Sequence, residues 1–144
     1  MNERGHRLIY LYKVEIKDAE SVAQAITRTL KKKGLPALTL TADNGREFGN
    51  HEAIAKKLNA DFYFAHPYSS WERSANENGN GLVRQYFPKG SDFSTITDSE
   101  IRRVERRLNN RPRKCLDMKT PNQVAFGIMP TVALGIGIRE VYEC

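Results

Sequence analysis

An alternation of strand-forming and helix-forming segments is what most restricts the fold of this chain. "RLIYLYKVEI" (residues 7–16) is rich in β-formers and predicts a strand buried on at least one face. "DAESVAQAITRTLKKKG" follows as a helix. Asp18 is its cap, Val22, Ala25, Ile26, Thr29 and Leu30 form one stripe, three lysines fill the last turn, and Gly34 and Pro36 end it. "LTLTA" (38–42) is a second strand, a short helix spans about Asn50 to Asn59, and "DFYFA" (61–65) is a third strand. Three helical segments come next. "NENGNGLVRQYF" is stopped by Pro88 and Gly90. "TDSEIRRVERRLNN" opens with a Thr97/Glu100 capping box and buries Ile101, Val104 and Leu108. The last begins at the Thr120/Gln123 box with Pro121 at its first position. Strands alternating with helices predict an α/β domain with a mainly parallel sheet.

The length, 144 residues, suits one domain, and the 40% hydrophobic and 28% charged content is that of a soluble globular protein. No apolar run is long enough to cross a membrane, and no secretory leader is evident, so a cytoplasmic protein is expected. Cys115 and Cys144 form no CxxC pair and suggest neither a disulfide framework nor a zinc site. His6, His51 and His66 show no ligand spacing. His66 opens an aromatic loop with Tyr68 and Trp71, whose rings could stack on bases or pack beneath the loop.

Asp43 follows the second strand directly, where a parallel sheet presents functional groups. Glu77 begins a helix 33 residues later. Two carboxylates from different elements suit a hard divalent cation, and a cation pair can clamp the attacking and leaving oxygens of a phosphodiester exchange. Each residue also has a plainer explanation. Asn44-Gly45 is a strong turn dipeptide, and a glutamate in a first helical turn is favoured by the helix dipole. Gly79 and Gly81 both weaken the helix after Glu77, as a close backbone approach would require. Glu77, Asn80, Gly81 and Arg84 share one polar face, as a metal site beside a DNA phosphate contact at Arg84 or an ordinary amphipathic helix would, while Leu82, Val83 and Tyr86 point to the core.

Charge is concentrated further on. Residues 101–119 hold eight basic side chains (Arg102, Arg103, Arg106, Arg107, Arg111, Arg113, Lys114 and Lys119) against two acids, which equals the net +6 of the whole chain. Arg102, Arg103, Arg106 and Arg107 form i, i+4 pairs on the outside of their helix. Such a face is either simply solvated or a contact for the phosphate backbone of DNA.

Three blocks, "TLTADNGREF", "ADFYFAHPYSSWERSANENGNGLVRQYFPKGSDF" and "LNNRPRKCLDMKTPNQVAFG", resemble the catalytic core of bacterial insertion-sequence transposases of the IS-thirty group, over about residues 7–127. The resemblance implies a ribonuclease-H-like integrase core with an Asp-Asp-Glu site for Mg²⁺ or Mn²⁺. Asp43 matches the second acid and Glu77 the third, with Asn44, Gly45 and Asn80 as supporting neighbours. The partners implied are DNA (transposon ends and target) and a further copy or an intact transposase; no membrane partner is implied. The family's first Asp lies on a strand upstream of the segment matched by 7–16, and that strand, the next one and the end-recognising helix-turn-helix have no match. The expectation is a truncated, incomplete core over 1–127 with C-terminal helices, inactive alone, and an atypical tail over 128–144. The alternative is a non-enzymatic DNA-binding or regulatory remnant that associates with DNA or intact transposase.

Overall fold

The computed structural model describes residues 1–34, 37–66 and 74–127. The chain divides into two compact units, one of Tyr12–Arg73, the other of Met1–Leu11 together with Ser74–Cys144.

The first unit contains α1 (Ala19–Lys33), β1 (Thr39–Ala42), a 3₁₀ turn (Arg46–Phe48), α2 (His51–Leu58) and β2 (Asp61–Phe64). Asp18 caps α1, its Oδ1 accepting from the Ser21 N–H at 2.7 Å, and Gly34 ends the helix with φ 66°. That left-handed backbone is open to glycine without a Cβ penalty. The buried stripe is Val22, Ala23, Ile26, Thr27 and Leu30, so Ala23 and Thr27 take the places expected for Ala25 and Thr29. Helix α1 packs against α2, whose Ile54 is fully buried. β1 and β2 pair in parallel, Thr39 opposite Asp61 and Ala42 opposite Phe64. Phe48, His51, Phe62 and Phe64 form a ring cluster beside them, the His51 and Phe64 centroids 5.0 Å apart and edge-on. His51 is thus a packing residue.

The second unit is helical: α3 (Ser74–Arg84), α4 (Asp98–Asn109), a 3₁₀ turn (Lys114–Leu116) and α5 (Pro121–Phe126). Both capping boxes form as their spacing predicts. Ile9, Val104 and Leu108 make the core, with Leu11, Leu82, Val83, Tyr86 and Phe87 packed on it.

The strand expected over 7–16 does not form. Residues 4–6 turn the chain, Arg7 has a left-handed backbone with φ 62°, and the only pairing at Ile9 is a single antiparallel bridge to Asn2. The backbone of this segment finds other partners. Glu3 donates to Leu8 at 2.7 Å, Asn109 takes Ile9, and the Glu105 carboxylate accepts from the Leu11 N–H at 2.9 Å. Side chains of α4 therefore stand where a neighbouring strand would, which overrides the segment's β propensity. Among the described residues the sheet has two strands and the fold is mixed α/β with five helices. The tail expected over 128–144 lies outside the described residues.

Candidate functional site

Asp43 directly follows β1 and is exposed. The hairpin explanation of Asn44-Gly45 does not hold, because β1 and β2 run parallel and Gly45 has φ −73°, ψ 143°, an extended conformation open to any residue. Asn44 instead reaches the end of the neighbouring strand, its Nδ2 lying 3.4 Å from the Ala65 carbonyl. Gly45 leaves room for a neighbouring side chain. A Cβ there would sit 2.9 Å from Oε1 of Glu47 and nearer still to the rest of that carboxylate. Glu47 folds back over the glycine and holds Lys17, Nζ to Oε1 2.9 Å. The hydrogen bond and charge of Glu47, and after them the charge of Asp43, raise the Lys17 pKa; the Glu47 backbone N–H, and then Lys17, lower that of Glu47. Asp43 itself makes no hydrogen bond or ion pair among the described residues.

Glu77 lies in the first turn of α3 and belongs to the other unit. Glu77, Asn80, Gly81 and Arg84 are all exposed, as their common face predicts, while Leu82 and Val83 pack inward. The two glycines differ. Gly79 is buried against Asn2, whose side-chain amide donates to the Ala75 carbonyl and would collide with a Cβ at 79. A Cβ at Gly81 would meet nothing within 4 Å. Both carboxylates offer exposed oxygen donors of the kind Mg²⁺ and Mn²⁺ take. Among the described residues, no three His, Cys, Asp or Glu side chains gather as a metal-binding group.

On α4 the division of labour is sharp. Arg102, Arg103, Arg106 and Arg107 are exposed, and Ile101, Val104 and Leu108 are buried. Lys114 is exposed and Arg111 half-buried, its Nη1 donating to Gln85 Oε1 at 3.0 Å. Arg113 departs from the expected surface set. It is 7% exposed, one guanidinium nitrogen lies 3.4 Å from the Leu108 carbonyl at the end of α4, and its Nε has no hydrogen-bond partner among the described residues. Burial, and then the charges of Arg111 and Arg7, push its pKa down. A cation at a helix C-terminus is favoured by the dipole, so Arg113 acts as a structural plug, not an open phosphate contact. His66 is exposed; Tyr68 and Trp71 lie outside the described residues. Sequence reasoning missed Lys17 and Glu47.

No protein-family model matches the chain. It is 50% identical over 123 residues to the transposase for insertion sequence element IS4351 of Bacteroides fragilis, covering 85% of this chain and 38% of that protein. It is 40% identical over 125 residues to transposase InsI for insertion sequence element IS30A of Escherichia coli (85% and 32%). The transposase for insertion sequence element IS1086 of Cupriavidus metallidurans is 39% identical over 128 residues (88% and 38%). The chain spans roughly a third of the length of these relatives. Matches this long within 144 residues necessarily run across Asp43, Glu77 and α4. The chain belongs to the insertion-sequence transposase family of the IS30 type.

Proposed function

We propose that this chain is part of a transposase catalytic core that engages DNA through α4 and contributes two acids to metal-dependent strand cleavage and transfer. The observation that carries the reading is the α4 surface: four exposed arginines, none in an ion pair among the described residues, in a chain half-identical to a transposase. Guanidinium groups in that number suit the sequence-independent grip on phosphates that positions a duplex. Asp43 and Glu77 are the residues that would hold Mg²⁺ or Mn²⁺, within a ribonuclease-H-like arrangement of the whole core. The cation would activate the attacking oxygen and stabilise the leaving one. The chain's own residues would orient it, with Asn44 and Gly45 shaping the exit of β1 and Asn80 flanking Glu77. The resemblance matches two of the family's three acids here, so these 144 residues alone are expected to bind DNA without cutting it.

The test is fluorescence anisotropy on a labelled duplex over a range of salt concentrations. Replacing Arg102, Arg103, Arg106 and Arg107 by Gln should weaken binding to unrelated sequences alike. The slope of log K against log salt should flatten by about 0.9 for each phosphate that is no longer neutralised. An unchanged slope refutes the role of α4.

A further inference from the structure

The family resemblance assigns no role to the pair Lys17–Glu47, whose glutamate follows Asp43 by four residues. Lys17 is in the loop before α1, and Glu47 is in the 3₁₀ turn after β1, so the fold brings together two residues 30 positions apart. The two partners are unequal. The Lys17 side chain is 72% exposed and that of Glu47 only 19%. Glu47 is seated on Gly45, in space that a Cβ would fill. The carboxylate is thus the enclosed half of the pair and the ammonium the exposed half. Side-chain ion pairs this open to water gain little, because solvent screens the attraction and ordering the lysine costs entropy.

We propose that Lys17 is a phosphate-binding residue at the Asp43 end of β1, and that Glu47 is a latch holding it until a DNA phosphodiester takes the carboxylate's place. The proposal rests on the DNA-binding reading above. A phosphodiester brought to Asp43 arrives as an anion beside a carboxylate and needs a cation at hand. Lys17 supplies it, since Glu47, four residues after Asp43 in the turn that follows β1, holds the ammonium at 2.9 Å. Lysine suits this role as a compact point charge on a flexible stem. Exchanging one oxyanion for another leaves the ammonium paired throughout, so the exchange is easy and reversible.

The experiment measures duplex affinity of the 144-residue chain by anisotropy, without divalent metal, for Lys17→Gln, Glu47→Gln, the double variant and Gly45→Ala, each checked by circular dichroism. Lys17→Gln should weaken binding by about 3- to 10-fold, the scale expected when one phosphate loses its cation. Glu47→Gln should tighten it about threefold, and that gain should vanish in the Lys17→Gln background, a coupling that a double-mutant cycle isolates. Gly45→Ala evicts the Glu47 carboxylate while keeping the net charge, so it too should tighten binding. If Glu47→Gln tightens equally with and without Lys17, only net charge is at work and the latch is overturned. Lys17→Gln without effect overturns the phosphate role. The salt slope set by the α4 arginines is a separate readout, so failure of DNA binding through α4 shows independently.

Discussion

Asn109 satisfies both hydrogen-bonding groups of the Ile9 backbone: its Oδ1 accepts from the Ile9 N–H at 2.8 Å and its Nδ2 donates to the Ile9 carbonyl at 2.8 Å. Residues 100 positions apart are joined as two strands would be, but one of the partners is a helix side chain. Asn109 is 5% exposed and Ile9 2% exposed, so neither backbone group has ready access to water.

Asn109→Ala leaves both groups unpaired, each at a cost of about 1–3 kcal/mol in a buried setting. A loss of about 2–4 kcal/mol is expected in denaturant unfolding, large against the roughly 5–15 kcal/mol that holds a domain folded. Asn109→Asp separates hydrogen bonding from shape. Its carboxylate still accepts from the N–H but opposes the Ile9 carbonyl, so this near-isosteric change should also destabilise. A neutral Asn109→Asp would show that packing alone matters here.

The two α3 glycines should respond differently to alanine. At Gly81 a methyl enters open space, and the helix gains about 0.5–1 kcal/mol from propensity. At Gly79 the same gain is opposed by displacement of the Asn2 amide from the Ala75 carbonyl, a hydrogen bond of about 1 kcal/mol. Thermal melts should show Gly81→Ala above the parent and Gly79→Ala at or below it. A Gly79→Ala melt as high as that of Gly81→Ala would mean that the Asn2 hydrogen bond contributes nothing.

What could be read from the sequence was what is encoded locally. The Asp18 cap, the Thr97/Glu100 and Thr120/Gln123 boxes, the α4 stripe of Ile101, Val104 and Leu108, and the exposed faces of α3 and α4 each depend on residues within one or two turns. The failures are non-local. Nothing in "RLIYLYKVEI" says that Asn109 and Glu105 will occupy its backbone in place of a strand. Arg113 looked like its basic neighbours because charge patterning cannot tell which guanidinium turns back onto the end of its helix. Lys17–Glu47 needed the loop before α1 to meet the turn after β1. Of the candidate acids, the strand-end position of Asp43 and the first-turn, exposed position of Glu77 were legible because each depends only on its own element.

The Thr97/Glu100 box should leave a signature in acid. The Thr97 backbone N–H, and then its hydroxyl, hydrogen-bond the Glu100 carboxylate and hold its pKa below the ordinary 4.5. A carboxyl group whose pKa is depressed by folding stabilises the folded state above its unfolded value, and that stabilisation is lost as pH falls through the folded value. Melting temperature should therefore drop as pH is taken below about 4.5. Glu100→Gln should start lower at neutral pH and fall less steeply over that range. Parallel curves for the two proteins would exclude Glu100 as a contributor.

Cleavage is the most demanding test of the assignment. Two-metal phosphodiester chemistry needs carboxylates disposed on both sides of the scissile phosphate, so that one cation activates the attacking oxygen while the other stabilises the leaving one. Within these 144 residues the family resemblance assigns Asp43 and Glu77, the second and third acids. On the reading proposed above, Mn²⁺ titration should show binding that weakens at least several-fold on Asp43→Asn or Glu77→Gln, since each change removes a charged oxygen donor. Turnover would need more, because carboxylates on one side of the phosphate alone would leave the second oxygen of the exchange without a cation. Purified chain with Mg²⁺ or Mn²⁺ and a supercoiled plasmid or an element-end duplex should therefore bind the DNA and leave it uncut. Metal-dependent nicking that disappears with Asp43→Ala and with Glu77→Ala would overturn this expectation, and would mean that another carboxylate of the chain completes the site.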